Sequence, residues 1–208
     1  MALKTFVKIS TVNNLSDARY CAGMYVNLMG FNLEKENKDY MPPQKFKELT
    51  EWLSGLEYVA EFEASHPENI LNILKEYEGV DYIQTPEEVH LQMLVNSSYK
   101  LIWKNLVKSV EDLQYLLTKA PSLKENDVIL LIESENLKLD RETTQIIQEI
   151  ADKCDVLLGF GLEADQIEET LESTSVKGIA LKGGDEIKPG YKDFDELADI
   201  LEALEEAD

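Results

Sequence analysis

The feature that most constrains this chain is an alternation repeated eight times, in which a short apolar run rich in β-formers gives way to an amphipathic helical run. The strand candidates are residues 5–10, 26–31, 58–63, 82–85, 101–105, 128–133, 156–160 and 178–182. Between them, apolar residues recur at helical spacing: Ile70, Leu71, Ile73 and Leu74 after Pro67, then Ile146, Ile147, Ile150 and Ala151 after Asp140. Leu197, Ile200, Leu201 and Leu204 form the last such face. Strand-helix alternation makes a sheet parallel, because each helix carries the chain back to where the next strand starts. Eight units in 208 residues average about 26 residues each, which favours closure into a barrel over an open doubly wound sheet. The expectation is an α/β fold, a single (β/α)8 TIM barrel forming one domain over residues 1–208. Helix-start signals agree. Ser65-His66-Pro67-Glu68 reads as an N-cap serine with an early proline, and Ser109 before Val110-Glu111-Asp112 reads similarly. Asn14 or Ser16 precedes Asp17-Ala18 in the same way.

Charge narrows the partners. The chain has 41 acidic and 20 basic residues, a formal net charge of -21. Such a surface repels phosphate backbones and anionic lipid heads, so neither nucleic acid nor a membrane is an expected partner. No stretch approaches the roughly 18 apolar residues that span a bilayer, and residues 1–8 lack an apolar core with a cleavage site. A cytoplasmic location is the expectation. The two cysteines, Cys21 and Cys154, have no CxxC spacing and no adjacent histidine. They read as packed thiols, with no metal and no cofactor expected. Met24, Met29, Met93 and Trp52 read as packing residues. His66 reads as a helix-start residue and His90 as an ordinary helix position.

Barrel sites lie at the C-terminal ends of the strands, and phosphate is commonly held by backbone N–H groups after strands seven and eight. Here those loops are Gly159-Phe160-Gly161-Leu162 and Lys182-Gly183-Gly184-Asp185. The glycines permit close backbone approach, and Lys182 supplies a counter-charge. They serve equally well as tight turns, and Asp185 and Glu186 oppose an anion. The strands also carry Lys8, Glu61, Glu63, Lys104 and Glu133. Charges inside a barrel are costly unless paired or at the wet rim. Lys8, Glu61, Lys104 and Glu133 therefore form either a polar ligand site or a structural ion-pair network.

Two segments carry a resemblance. At the start stand Val7-Lys8-Ile9-Ser10, Asn14-Leu15-Ser16-Asp17-Ala18 and Met29-Gly30-Phe31; at the end stand Gly161-Leu162 and Gly183-Gly184-Asp185-Glu186-Ile187-Lys188-Pro189-Gly190-Tyr191-Lys192-Asp193. In these the chain resembles the phosphoribosylanthranilate isomerase family, which performs an Amadori rearrangement in tryptophan biosynthesis. The middle agrees only in rhythm. The resemblance implies a small phosphorylated ligand, or inorganic phosphate, at the closing loops. It also puts Ser10 at the family's base position, a cysteine there, and Ile132 at its acid position, an aspartate there. Glu133 is one residue further on and, by strand alternation, is expected on the opposite face. Asp39 falls where the family has a basic residue after strand two, and Ala180 where it has an aspartate. The glycine-rich loop after strand six is missing, and residues 134–139 are expected to run straight into a helix. Lys8 and Lys104 match family lysines. Two functions stay open. One is a catalytically impaired or non-catalytic paralogue that retains a phosphate or sugar-phosphate site, with a partner protein or a homo-dimer in view. The other is a divergent isomerase using Glu133 or Glu63 for acid/base work.

Overall fold

In the computed structural model the described residues are 2–182, 186–188, 191–192 and 195–206. Eight strands run β1 (Phe6–Ser10), β2 (Leu28–Asn32), β3 (Glu57–Glu61), β4 (Val80–Thr85), β5 (Lys100–Leu106), β6 (Val128–Glu133), β7 (Val156–Leu158) and β8 (Gly178–Lys182). They hydrogen-bond in sequence order, all in parallel, and β8 pairs back onto β1, so the sheet closes into a barrel. The ring of helices is α1 (Leu15–Gly23), α2 (Pro43–Thr50), α3 (Pro67–Ile73), α4 (Glu88–Leu94), α5 (Val110–Glu125), α6 (Arg141–Ala151), α7 (Ile167–Thr174) and α8 (Asp195–Ala203). A small antiparallel pair, β9 (Glu186–Lys188) and β10 (Tyr191–Lys192), follows β8.

Strand alternation divides the apolar residues into two packed layers. Leu28, Val59, Tyr82, Ile102, Ile129, Leu131, Leu157 and Ala180 fill the lumen with Phe6. Residues of the other parity, such as Val7, Ile9, Leu130, Ile132 and Ile179, pack outward with the helices. Hence Lys8 and Ser10 on β1, Glu61 on β3, Gln84 on β4, Lys104 on β5, Glu133 on β6 and Lys182 on β8 share the lumen parity. That phase places every strand-borne charge of the upper barrel on the inside.

The helix starts follow local chemistry, with one correction. Asn14 caps α1 by accepting from the Asp17 N–H at 2.9 Å, and the Asp112 carboxylate accepts from the Ser109 N–H at 3.1 Å at the head of α5. The cap of α3 is His66 rather than Ser65. The Ser65 hydroxyl is engaged elsewhere, donating to Glu34 at 2.7 Å. Met29 is buried and Met24 packs against the core, but Trp52 is 76% exposed and Met93 50%. Those last two are not packing residues: Trp52 stands in the turn after α2, and Met93 stands on the solvent side of α4. Cys21 and Cys154 are buried, and burial pushes the Cys154 thiol up to about 11. No helix among the described residues is long and apolar enough to cross a membrane.

Candidate functional site

The C-terminal ends of the strands surround a cavity of about 400 Å³, lined from β1 by Ser10 and Thr11 and from β2 and its loop by Asn32 and residues 36–39. Glu61, Glu63, Gln84, Lys104, Glu133 and Lys182 complete the wall. Sequence reasoning had named most of these. It missed Thr11, Asn32, Glu36, Asn37, Lys38 and Gln84, although the inward parity of Gln84 at the end of a strand was a usable signal.

At the cavity floor Lys8, fully buried, donates to Glu61 Oε1 at 2.5 Å and to Ser10 Oγ at 2.6 Å. Glu61 Oε2 accepts from the Thr11 N–H at 3.0 Å and the Thr11 hydroxyl at 3.2 Å. Both carboxylate oxygens are thus engaged. Thr11 has φ 58, a left-handed conformation that is unusual for a β-branched residue. Its bonds to Glu61 hold it there. A Cβ at Gly30 would lie 2.0 Å from Glu61 Oε1 and 3.1 Å from Lys8 Nζ, so the ion pair needs a glycine on the neighbouring strand.

Nearer the rim, Lys104 donates to Glu63 Oε1 at 2.9 Å and lies 3.7 Å from Glu133 Oε2. Burial works against the Lys104 charge, but the carboxylates of Glu133, Glu63 and Glu61 outweigh it and hold the amine above the ordinary lysine range. One cation therefore serves two rim carboxylates. Outside the cavity, buried Glu34 accepts from the N–H groups of Ala64 and Ser65 at 2.9 and 2.8 Å. Burial raises its pKa, yet these bonds and that from the Ser65 hydroxyl prevail and leave it below the ordinary glutamate value. Glu34 ties the loop after β2 to the loop after β3.

The Ser10 hydroxyl has an amine beside it, which donates both to it and to Glu61. Two expectations change. Glu133, expected to face away, faces the lumen. The buried outward residue is Ile132, which packs toward the helices because β6 is phased by Ile129 and Leu131 inside. Residues 134–140 form a loop before α6 rather than running straight into a helix, with the Ser134 hydroxyl donating to the Val107 carbonyl at 2.7 Å.

Of the glycine positions, Gly159 lies against Glu133, whose Cγ would be 2.9 Å from an added Cβ. Gly161 has φ 65 and faces Leu139. Lys182 lines the cavity and is exposed. Gly183 and Gly184 lie outside the described residues. His66 and His90 stack edge to face with centroids 6.0 Å apart and do not line the cavity. Among the described residues no group of three His, Cys, Asp or Glu is arranged to hold a metal ion.

Comparison with known proteins agrees with the fold. No family model matches the chain. The N-(5'-phosphoribosyl)anthranilate isomerase of Gloeothece citriformis is 25% identical over 210 residues, spanning 95% of this chain and 93% of that protein. The protein of the same name from Nostoc punctiforme is 33% identical over 99 residues, 46% of this chain and 47% of its own length. In fold, the chain is similar to phosphoribosyl anthranilate isomerase from Thermotoga maritima, with a TM-score of 0.77 at 19% identity over 96% of this chain and 98% of that one. A structure of phosphoribosyl anthranilate isomerase in complex with reduced 1-(o-carboxyphenylamino)-1-deoxyribulose 5-phosphate gives a TM-score of 0.76 at 19% identity, with the same coverage.

Proposed function

We propose that this chain, a member of the phosphoribosylanthranilate isomerase family, keeps a mouth site for a small phosphorylated ligand and does not perform the rearrangement for which its relatives are named. The observation that carries this reading is the state of Ser10. At the position of the family's base, its hydroxyl oxygen accepts from Lys8, which is itself paired with Glu61. An amine in that state cannot take the seryl proton, so no alkoxide is available to remove a proton from a sugar carbon. Ala180 in place of the family's strand-eight aspartate, and Asp39 in place of its basic residue, support the same conclusion. For the ligand, Lys182 at the end of β8 supplies positive charge beside the loops where phosphate is commonly held in barrels.

General base catalysis contributes about 10²- to 10⁴-fold, so a site whose base position holds this paired Ser10 is expected to show no measurable isomerisation. Introducing the gene into an auxotroph that lacks the isomerase checks this: continued auxotrophy is expected, and restored growth overturns it. The lumen-facing Glu133 favours a second reading, a divergent isomerase using Glu133 or Glu63 for acid/base work. Activity abolished by Glu133→Gln would establish that alternative. Titration with phosphate, comparing wild type with Lys182→Glu, tests the retained site, and equal binding by the two proteins counts against it.

A further inference from the structure

The mouth holds more hydrogen-bond acceptors than an anion site requires. Gln84 is 2% exposed, has the lumen parity of β4 and lines the cavity, yet its Oε1 has no hydrogen-bond partner among the described residues. A buried acceptor in that state is costly, and a donor placed by a ligand removes the cost. Carboxylates also outnumber lysines in the wall. Glu36, Asp39, Glu61, Glu63 and Glu133 face Lys38, Lys104 and Lys182. Lys8 matches Glu61 and Lys104 is shared by Glu63 and Glu133, so the rim triad keeps a net negative charge.

These charges are separated in space. In the ring order β8 lies four strands from β4, on the opposite wall, so Lys182 stands across the cavity from Gln84. Asp39 and Glu63 belong to the β2–β3 side between them. A ligand filling about 400 Å³, within the usual size range of small-molecule sites, must meet all three regions at once.

We propose that the mouth recognises an amino-sugar phosphate, with its ester phosphate toward Lys182, its ammonium against Asp39 and Glu63, and a hydroxyl donating to Gln84 Oε1. The phosphate end rests on the function proposed above, whereas the amine and hydroxyl ends rest on the acidic wall and the unpartnered Gln84 oxygen. Calorimetric titration of the full chain with glucosamine 6-phosphate, glucose 6-phosphate and glucosamine separates these parts. Glucosamine 6-phosphate is expected to bind on the order of tenfold more tightly than glucose 6-phosphate, the scale of one added charge-assisted hydrogen bond. Asp39→Asn and Glu63→Gln, both at the accessible rim, are each expected to shrink that ratio toward one. Gln84→Met is expected to weaken both sugar phosphates and leave the ratio intact; unchanged binding by this variant overturns the Gln84 contact. Equal affinity for the two sugar phosphates in the wild type overturns amine recognition while leaving a phosphate site. Glucosamine binding as tightly as its phosphate ester leaves amine recognition standing and removes the phosphate end. No binding of any probe at millimolar concentration overturns both.

Discussion

At the cavity floor Lys8 and Glu61 approach to 2.5 Å with side chains 0 and 4% exposed, whereas nearer the rim Lys104 is 2.9 Å from Glu63 and 3.7 Å from Glu133, with side chains 23 to 43% exposed. The residue types are the same but the energetics differ. Below, neither ion keeps its hydration, so the pair depends on internal bonding: two acceptors for the three donors of Lys8, and Lys8 with both Thr11 donors for Glu61. Above, solvent reaches the carboxylates and water competes for every contact. The floor is therefore fixed architecture, and the rim is the part free to respond to a ligand.

The sharpest way to break this comparison is to remove one floor ion. Lys8→Met leaves Glu61 buried without its counter-charge and is expected to lower the unfolding free energy by about 3–5 kcal/mol. The double variant Lys8→Met with Glu61→Leu is expected to recover most of that loss, since no ion then stays buried. Denaturant unfolding of both proteins gives the numbers. A single-variant cost below about 1 kcal/mol would place the floor in the same class as the rim.

Glu34 sharpens the contrast, being a buried carboxylate held by neutral donors instead of a cation. Glu34→Gln is expected to cost about 1.5–3 kcal/mol at neutral pH, the range for hydrogen bonds to a charged group. The pH dependence has a definite sign. The folded-state pKa lies below the ordinary value of 4.5, so the stabilisation is fully present above that value and is lost as pH falls through the folded pKa. The gap between wild type and variant should narrow in unfolding curves taken progressively below pH 4.5. A gap constant with pH would mean that ionisation of Glu34 contributes nothing.

The smallest effect belongs to the rim. Lys104→Met is expected to change stability by about 1 kcal/mol or less, and by still less in high salt, where exposed charges are screened. Thermal unfolding in low and high salt measures it. A salt-independent loss the size of the Lys8 effect would show that the rim cluster is structural too.

Much of this molecule was legible in its sequence. All eight strands appear near the expected positions, with β6 and β8 matching to the residue, because a strand buried on both faces must be a continuous apolar run. The placement of Lys104, Glu133 and Lys182 at the mouth followed from their positions late in those strands. Other features were out of reach. Ser65 has the chemistry of a cap, but a distant carboxylate, Glu34, claims its hydroxyl. Trp52 and Met93 have the composition of core residues, and only the orientation of their segments exposes them.

The sequence by itself determined the parallel barrel and the charges at its mouth, since these depend on periodicity and residue identity along the chain. Tertiary structure decided the roles of the charges that are present. Whether Glu133 or Ile132 faces the lumen depends on how β6 is phased against its neighbours. Whether Lys8 can serve as a base depends on Glu61, a residue 53 positions away that closure of the barrel brings within 2.5 Å. Phase and long-range pairing are set by packing the whole ring, so no local stretch of sequence contains them.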